Sequence, residues 1–128
     1  MKYLVILILA FYNSSFANEK QLVEEIANVW SRGDILYLME KDPVTGSILS
    51  KPCLEKKGDC AAFQILKKKE SYNLDPADLA GGKNPGAVIC KKNLKATVLI
   101  LEDNDENENA FCKFSDGSLL SVSALIKK

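Results

Sequence analysis

Four cysteines in a chain of 128 residues most restrict how this sequence can fold. An even number of cysteines in a small exported protein indicates disulfide bonds, and four cysteines permit three pairings. We favour Cys53–Cys60 with Cys90–Cys112, because each pair is then the nearest in sequence and closes a plausible turn or hairpin. The alternative is a zinc site, but such sites usually contain two cysteines separated by two to four residues. Here six and twenty-one residues separate the members of the two pairs.

The N-terminal segment, residues 1–17, has the features of a secretory signal peptide. Lys2 supplies a positive charge, residues 4–11 are continuously apolar, and small residues at Ser15 and Ala17 predict cleavage before Asn18. A membrane-spanning helix needs about 20 apolar residues, so this segment is too short for a retained anchor. We therefore expect a periplasmic or secreted protein that is not stably inserted in a membrane after cleavage.

The amino-acid composition argues against several classes of function. Hydrophobic residues make up 47% and charged residues 27% of the chain, which is typical of a folded globular protein. Basic and acidic residues are equal at 17 each, so charge gives no reason to expect a nucleic-acid partner. Histidine, the commonest general base and metal ligand, is absent from the sequence. We therefore expect a protein that is not an enzyme and holds no cofactor.

The N-terminal sub-lobe, residues 18–74, begins with a predicted helix over residues 19–32. Its apolar residues recur at helical spacing, with Trp30 as a core anchor and Gly33 at the stop. The apolar side chains on this predicted face are Leu22, Val23, Ile26, Val29 and Trp30.

A β-hairpin and a second helix complete this predicted sub-lobe. Residues 35–39 and 47–49 are the two strands, and residues 42–46 carry the proline and glycine of a turn. A charged loop, residues 55–58, follows. Asp59 is then the predicted N-cap of a helix over residues 60–69.

The C-terminal sub-lobe, residues 75–128, starts with one helical turn and then a short helix. Asn84 is the expected cap of that helix and Pro85 its first residue. Further along we predict strands at 95–101 and 110–114 joined by an acidic loop, a tight turn at 115–118, and a final strand or short helix at 119–126.

The acidic loop resembles part of a calcium site. Asp103, Asp105 and Asn107 match positions one, three and five of an EF-hand loop. Position six is Glu108 where glycine is needed, and position twelve is Phe114 where a bidentate glutamate is needed. We therefore expect a solvated loop, with a looser calcium site as the alternative.

A spaced motif runs through the C-terminal sub-lobe. Its residues are Asn84, Pro85, Ala87 and Cys90, then Cys112, Phe114, Asp116, Gly117 and Ser118, then Ala124 and Leu125. This motif resembles that of a family of small exported bacterial domains and lipoproteins that carries the label hemolysin and has no assigned activity. The resemblance covers residues 83–127 and implies that Cys90 and Cys112 are bonded to each other. Gly86 stands where the family usually has alanine, and Ser123 where it tends to have tryptophan.

Taken together, the sequence predicts an α+β fold: a small disulfide-bridged domain with short antiparallel strands and two or three helices. The expected function is a non-enzymatic exported module that binds a protein partner. A secreted lytic factor is one alternative and rests on the family label alone. A small inhibitor of a secreted hydrolase is another, with Lys56 and Lys57 of the Cys53–Cys60 loop as its contact residues.

We predict that the protein recovered from the exported fraction begins at Asn18 and contains both nearest-neighbour disulfides. Mass spectrometry of a non-reduced digest measures both properties. A peptide joining Cys53 to Cys90 or Cys112 would contradict the pairing. A protein with residues 1–17 intact and four free thiols would contradict export.

Overall fold

Six antiparallel strands close into a barrel in the order β1-β2-β3-β6-β5-β4 in this computed structural model, which describes residues 28–68 and 71–126. The predicted signal peptide and the first nine residues of the predicted helix 19–32 lie outside the described residues. The strands are β1 (Val29–Arg32), β2 (Ile35–Lys41), β3 (Ile48–Ser50), β4 (Thr97–Glu102), β5 (Glu108–Lys113) and β6 (Leu119–Ser121).

Among the described residues, three short helices lie outside the barrel: α1 (Lys51–Lys56), α2 (Ala61–Lys67) and α3 (Pro85–Val88). Three 3-10 turns occupy Lys57–Asp59, Pro76–Leu79 and Val122–Leu125, and α3 continues into one π-helical turn, Ile89–Asn93. Antiparallel strands, helices and two disulfides are therefore present as predicted. The sheet dominates more than the α+β prediction implied, because it closes on itself and the helices only cover part of its outer wall.

The prediction of a helix through Arg32 is wrong for its last four residues. Val29–Arg32 form β1, and Trp30 lies opposite Tyr37 of β2. Gly33 has a φ of +59° in the tight turn that follows, so the chain reverses directly into β2. Pairing with a neighbouring strand outweighs the local helical spacing of the apolar residues. Trp30 still acts as a core anchor, with its ring 5.2 Å from that of Phe111 in an edge-to-face contact.

The two predicted hairpins are confirmed. Strands β2 and β3 pair from Met39 opposite Ser50 to Lys41 opposite Ile48, and β4 and β5 pair along their whole lengths around the acidic loop. The buried Asp42 shapes the first turn, because its carboxylate accepts hydrogen bonds from the backbone N–H and the hydroxyl of Thr45 at 2.9 and 2.7 Å.

The predicted charged loop at residues 55–58 is instead helical. It comprises the end of α1 and the following 3-10 turn, and Pro52 occupies the first turn of α1, where a missing backbone N–H costs nothing. The segment 119–126 contains both predicted alternatives, since it is a strand up to Ser121 and a 3-10 turn from Val122.

Strand alternation separates two layers of the core. On β5, Phe111 faces the barrel interior, and Cys112 faces the helices that cover the outer wall. On β6, Leu119 faces the barrel interior and Leu120 faces the helices. The interior layer also contains Met39, Leu99 and Leu101, and the outer layer contains Leu49, Ala62, Leu66, Ile89, Val122, Leu125 and all four cysteines.

Strands from the two predicted sub-lobes pair with each other at two places in the barrel wall. Leu49 of β3 lies opposite Leu120 of β6, and Ser31 of β1 lies opposite Glu102 of β4. Both sub-lobes therefore contribute side chains to both layers of the core.

Gly86 of α3 is a position where the backbone comes too close for a side chain. A Cβ atom there would overlap the carbonyl oxygen of Val122 and lie 2.7 Å from its carbonyl carbon. We predict that Gly86→Ala lowers the free energy of unfolding by about 2 kcal/mol, the usual cost of overpacking. Gly58→Ala is the matched control, because a Cβ atom there has no heavy atom within 4 Å. Urea denaturation of both variants tests this, and equal midpoints would refute it.

Candidate functional site

A groove of about 610 Å³ opens beside β2 on the surface of the barrel. One wall is the start of β2, formed by Leu36, Tyr37 and Leu38. The opposite wall is α1 and the turn after it. The floor and far end are formed by Ser50 and the Asp116-Gly117-Ser118 turn. The residues of the opposite wall are Pro52, Cys53, Lys56, Asp59 and Cys60.

The groove exists because β2 is longer than the strand beside it. Seven residues form β2 but only three form β3, and α1 begins at Lys51, directly after β3. The ladder between the two strands therefore stops at Met39 opposite Ser50. Residues 35–38 pair with β1 on one side, and on the other side residues 36–38 line the groove.

The direction of the backbone amides in this stretch follows from one hydrogen bond. The N–H of Met39 donates to the carbonyl oxygen of Asn28 at 2.9 Å, so the odd-numbered amides of β2 face β1. Successive backbone groups alternate in direction along a strand. The N–H and C=O groups of Leu36 and Leu38 therefore face the groove.

Apolar side chains are also exposed beside this edge. Leu36 is 69% exposed and Leu38 52%, whereas Met39, the next residue, is 1% exposed. The two leucines share the outer face of β2, while Tyr37 lies on the inner face with Trp30. Leu36 and Leu38 are not among the site residues predicted from the sequence. The available signal was the continuous apolar run from Ile35 to Met39, since a strand with one buried face should alternate.

The opposite wall is fixed by the Cys53–Cys60 disulfide. Its Cα atoms are 5.3 Å apart, and both cysteines are buried. The bond joins α1 to the residue that precedes α2, so the two helices and the turn between them form one closed unit. Of the predicted site residues, these two cysteines line the groove together with Asp116, Gly117 and Ser118.

The Asp116-Gly117-Ser118 turn caps α2 across the groove. Asp116 Oδ2 accepts a hydrogen bond from the N–H of Ala61 at 2.9 Å, and Ser118 Oγ accepts one from Ala62 at 3.1 Å. Asp59, the predicted cap, is exposed and does not fill this role. The N-cap residue is Cys60, whose side chain makes no capping hydrogen bond. The prediction was wrong because the cap comes from residues 55 and 56 positions away in the sequence.

Hydrogen bonds stabilise the charged form of Asp116. Partial burial alone would raise the pKa of this carboxyl, but hydrogen bonds from Ala61 and from the side chain and backbone of Ser118 outweigh it and lower the pKa below the ordinary value of 3.8. Asp116 Oδ1 accepts both Ser118 bonds, from the hydroxyl at 2.5 Å and from the backbone N–H at 2.9 Å.

The other half of the family-like motif lies away from the groove. Asn84 caps α3 as predicted, since its Oδ1 accepts hydrogen bonds from Gly86 at 2.9 Å and Ala87 at 3.3 Å, and Pro85 is the first helical residue. Cys90 is bonded to Cys112, with their Cα atoms 5.7 Å apart. These contacts hold α3 and its π-helical turn against β5.

In the acidic loop, the carboxylate of Asp103 accepts hydrogen bonds from other residues of the same loop. Asp103 Oδ1 accepts hydrogen bonds from the backbone N–H groups of Asp105 and Asn107, each at 2.9 Å, and Oδ2 accepts one from the Asn107 amide at 3.2 Å. These bonds, with the backbone bond from Asn107 foremost, lower the pKa of Asp103. Within residues 28–68 and 71–126, no cluster of three or more histidine, cysteine, aspartate or glutamate side chains is placed to hold a metal ion.

Comparison with known protein families, curated proteins and solved structures gives no match for this chain. In the part of the chain that the structure describes, no helix has the length and apolar character needed to span a membrane.

We predict that Asp116→Ala lowers the free energy of unfolding at pH 7 by about 1 kcal/mol, the usual cost of losing a helix cap. The pKa of Asp116 is lower in the folded protein than in the unfolded chain. Its contribution is therefore complete above the ordinary value of 3.8 and disappears as the pH falls through the folded value.

Urea denaturation of this variant and the wild type between neutral pH and pH 2 tests the prediction. The difference between the two proteins should shrink in acid. Asp59→Ala is the control, because Asp59 is exposed and does not cap α2. An Asp116→Ala effect that is absent at pH 7, or that grows as the pH falls, would contradict the assignment.

Proposed function

We propose that this protein is an exported, non-enzymatic binding module that holds a protein partner in the groove beside β2. The observation that carries this proposal is the pair of exposed leucines, Leu36 and Leu38, on the wall of an open cavity of about 610 Å³. Exposed apolar side chains grouped at a concave surface are typical of binding sites, because removing them from water stabilises the complex with a partner.

The rigidity of the opposite wall supports the same proposal. The Cys53–Cys60 disulfide and the two hydrogen bonds from the Asp116-Gly117-Ser118 turn hold α1 and α2 in place before any partner arrives. A site that is already ordered pays less conformational entropy on binding, so more of the contact energy appears as affinity. Both disulfides are also consistent with the oxidising compartment expected for an exported protein.

The two alternative functions draw less support from the described residues. The lytic function rests on the family label alone, and Asp116 and Asn84, two residues of the motif that resembles that family, cap helices α2 and α3. For the inhibitor function, Lys56 does line the groove. However, Lys56 lies in α1, and the Cys53–Cys60 segment is helical where a hydrolase-blocking loop was expected.

A photo-crosslinking amino acid at position 36 tests the proposal in the native exported fraction. The control carries the same amino acid at Val44, which is 81% exposed in the β2–β3 turn and does not line the groove. We expect position 36 to give a reproducible crosslinked protein that position 44 does not give, and expect Leu38→Asp to abolish it. Identical products from the two positions, or none from position 36, would refute the proposal.

A further inference from the structure

We infer that the partner also covers the outward face of the sheet across β2, β1 and β4, and that it brings a lysine or arginine to Glu102 and Glu108. This inference rests on the proposed function and adds the chemistry of the partner to it. The surface concerned, the outer sheet face, consists of Ser31, Leu36, Leu38, Ile100, Glu102 and Glu108.

Cross-strand pairing places four of these residues in one row. Leu36 of β2 lies opposite Ser31 of β1, and Ser31 in turn lies opposite Glu102 of β4. Glu108 of β5 lies opposite Glu102 on its other side. Side chains alternate between the two faces along a strand, and the row points outward because its neighbours in sequence belong to the interior layer of the core. These neighbours are Trp30, Tyr37 and Leu101.

The apolar residues of the outer sheet face are exposed. Leu36 and Leu38 are both more than half exposed, and Ile100, on the same face of β4 as Glu102, is 49% exposed. None of the three belongs to either layer of the core. Ile100 also does not line the groove, so a partner confined to the groove leaves it exposed. A partner that covers all three residues removes more apolar surface from water.

Glu102 and Glu108 give one end of this face an unbalanced negative charge. The two residues lie directly opposite each other, and like charges in that position destabilise a sheet. Both are exposed, and neither forms an ion pair within residues 28–68 and 71–126. A cationic side chain placed beside both carboxylates would replace this repulsion by attraction, which is the complementarity that selects a partner.

The same charge favours a different protein over a second copy of this chain. The outward-facing residues of β1, β2, β4 and β5 include no basic residue. A two-fold dimer through this face would bring the same set of residues from both copies, so neither pair of carboxylates would gain a cation. The partner therefore carries apolar side chains with a lysine or arginine about 10 Å away, the distance from Leu36 to Glu102 across two strand spacings.

Photo-crosslinking from position 100 tests whether the partner reaches this face. We expect the protein that is captured from position 36 to be captured from position 100 as well, with position 44 again as the control. Ile100 and Glu102 lie about 7 Å apart on one face of β4. Sequencing of the crosslinked peptide should therefore find a lysine or arginine within about four residues of the crosslinked position, whether the partner segment is extended or helical.

Neutral substitutions test the assignment of charge. The double variant Glu102→Gln/Glu108→Gln should raise the Kd for the purified captured protein about fivefold and weaken its dependence on salt. The matched control is Asp105→Asn/Glu106→Gln, which removes two exposed carboxylates from the loop between β4 and β5 but none from the outer sheet face. Isothermal titration calorimetry measures both. The melting temperature of the free Glu102→Gln/Glu108→Gln variant should be at least that of the wild type, because the repulsion is removed.

The outcomes separate this inference from the proposed function. Capture from position 36 but not from position 100 overturns the inference and leaves groove binding intact. Crosslinking of position 100 to a second copy, or to residues 18–27 of the same chain, also overturns it, because the face is then covered without the partner. An equal rise in Kd for the two double variants overturns the charge assignment. Capture from position 100 alone supports the contact and refutes groove binding, and capture from neither position overturns both.

Discussion

The pairing of β3 with β6 is the contact on which the rest of the structure depends. Leu49 lies opposite Leu120, and the N–H of Leu119 donates to Ser50 Oγ at 2.8 Å. This short ladder joins the hairpin formed by β2 and β3 to β6, which pairs with β5, and together with the pairing of β1 and β4 it closes the barrel. A closed barrel removes most strand edges. One layer of the core then packs inside the barrel sheet, and the other packs between its outer surface and the helices.

The same ladder explains why the groove is present. Because β3 ends at Ser50, the chain turns into α1, and the first half of β2 is left with β1 as its only neighbouring strand. An edge of this kind is usually blunted by charge, by proline or by a covering element. Here residues 35–38 carry no charge, and the leucines beside the edge remain exposed. An uncharged strand edge beside exposed leucines is the physical reason for placing the binding site there.

Contacts distant in sequence make the site rigid. The disulfide between Cys53 and Cys60 is local, but the cap of α2 comes from Asp116 and Ser118, which belong to the turn between β5 and β6. The wall opposite β2 is thus held by the C-terminal half of the chain. A substitution in the 116–118 turn is expected to alter the groove as well as stability, so binding experiments on such variants need a parallel measurement of folding.

Local chemistry in the sequence determined the disulfide pairs, the two hairpins and the cap at Asn84, because each depends on residues that are close together in the chain. Closure of the barrel, the conversion of Val29–Arg32 to a strand and the cap at Asp116 were decided only by the tertiary structure. The physical reason is that these features depend on partners far away along the chain. Local periodicity cannot reveal which strand will lie beside another, or which strand will be left with an open edge.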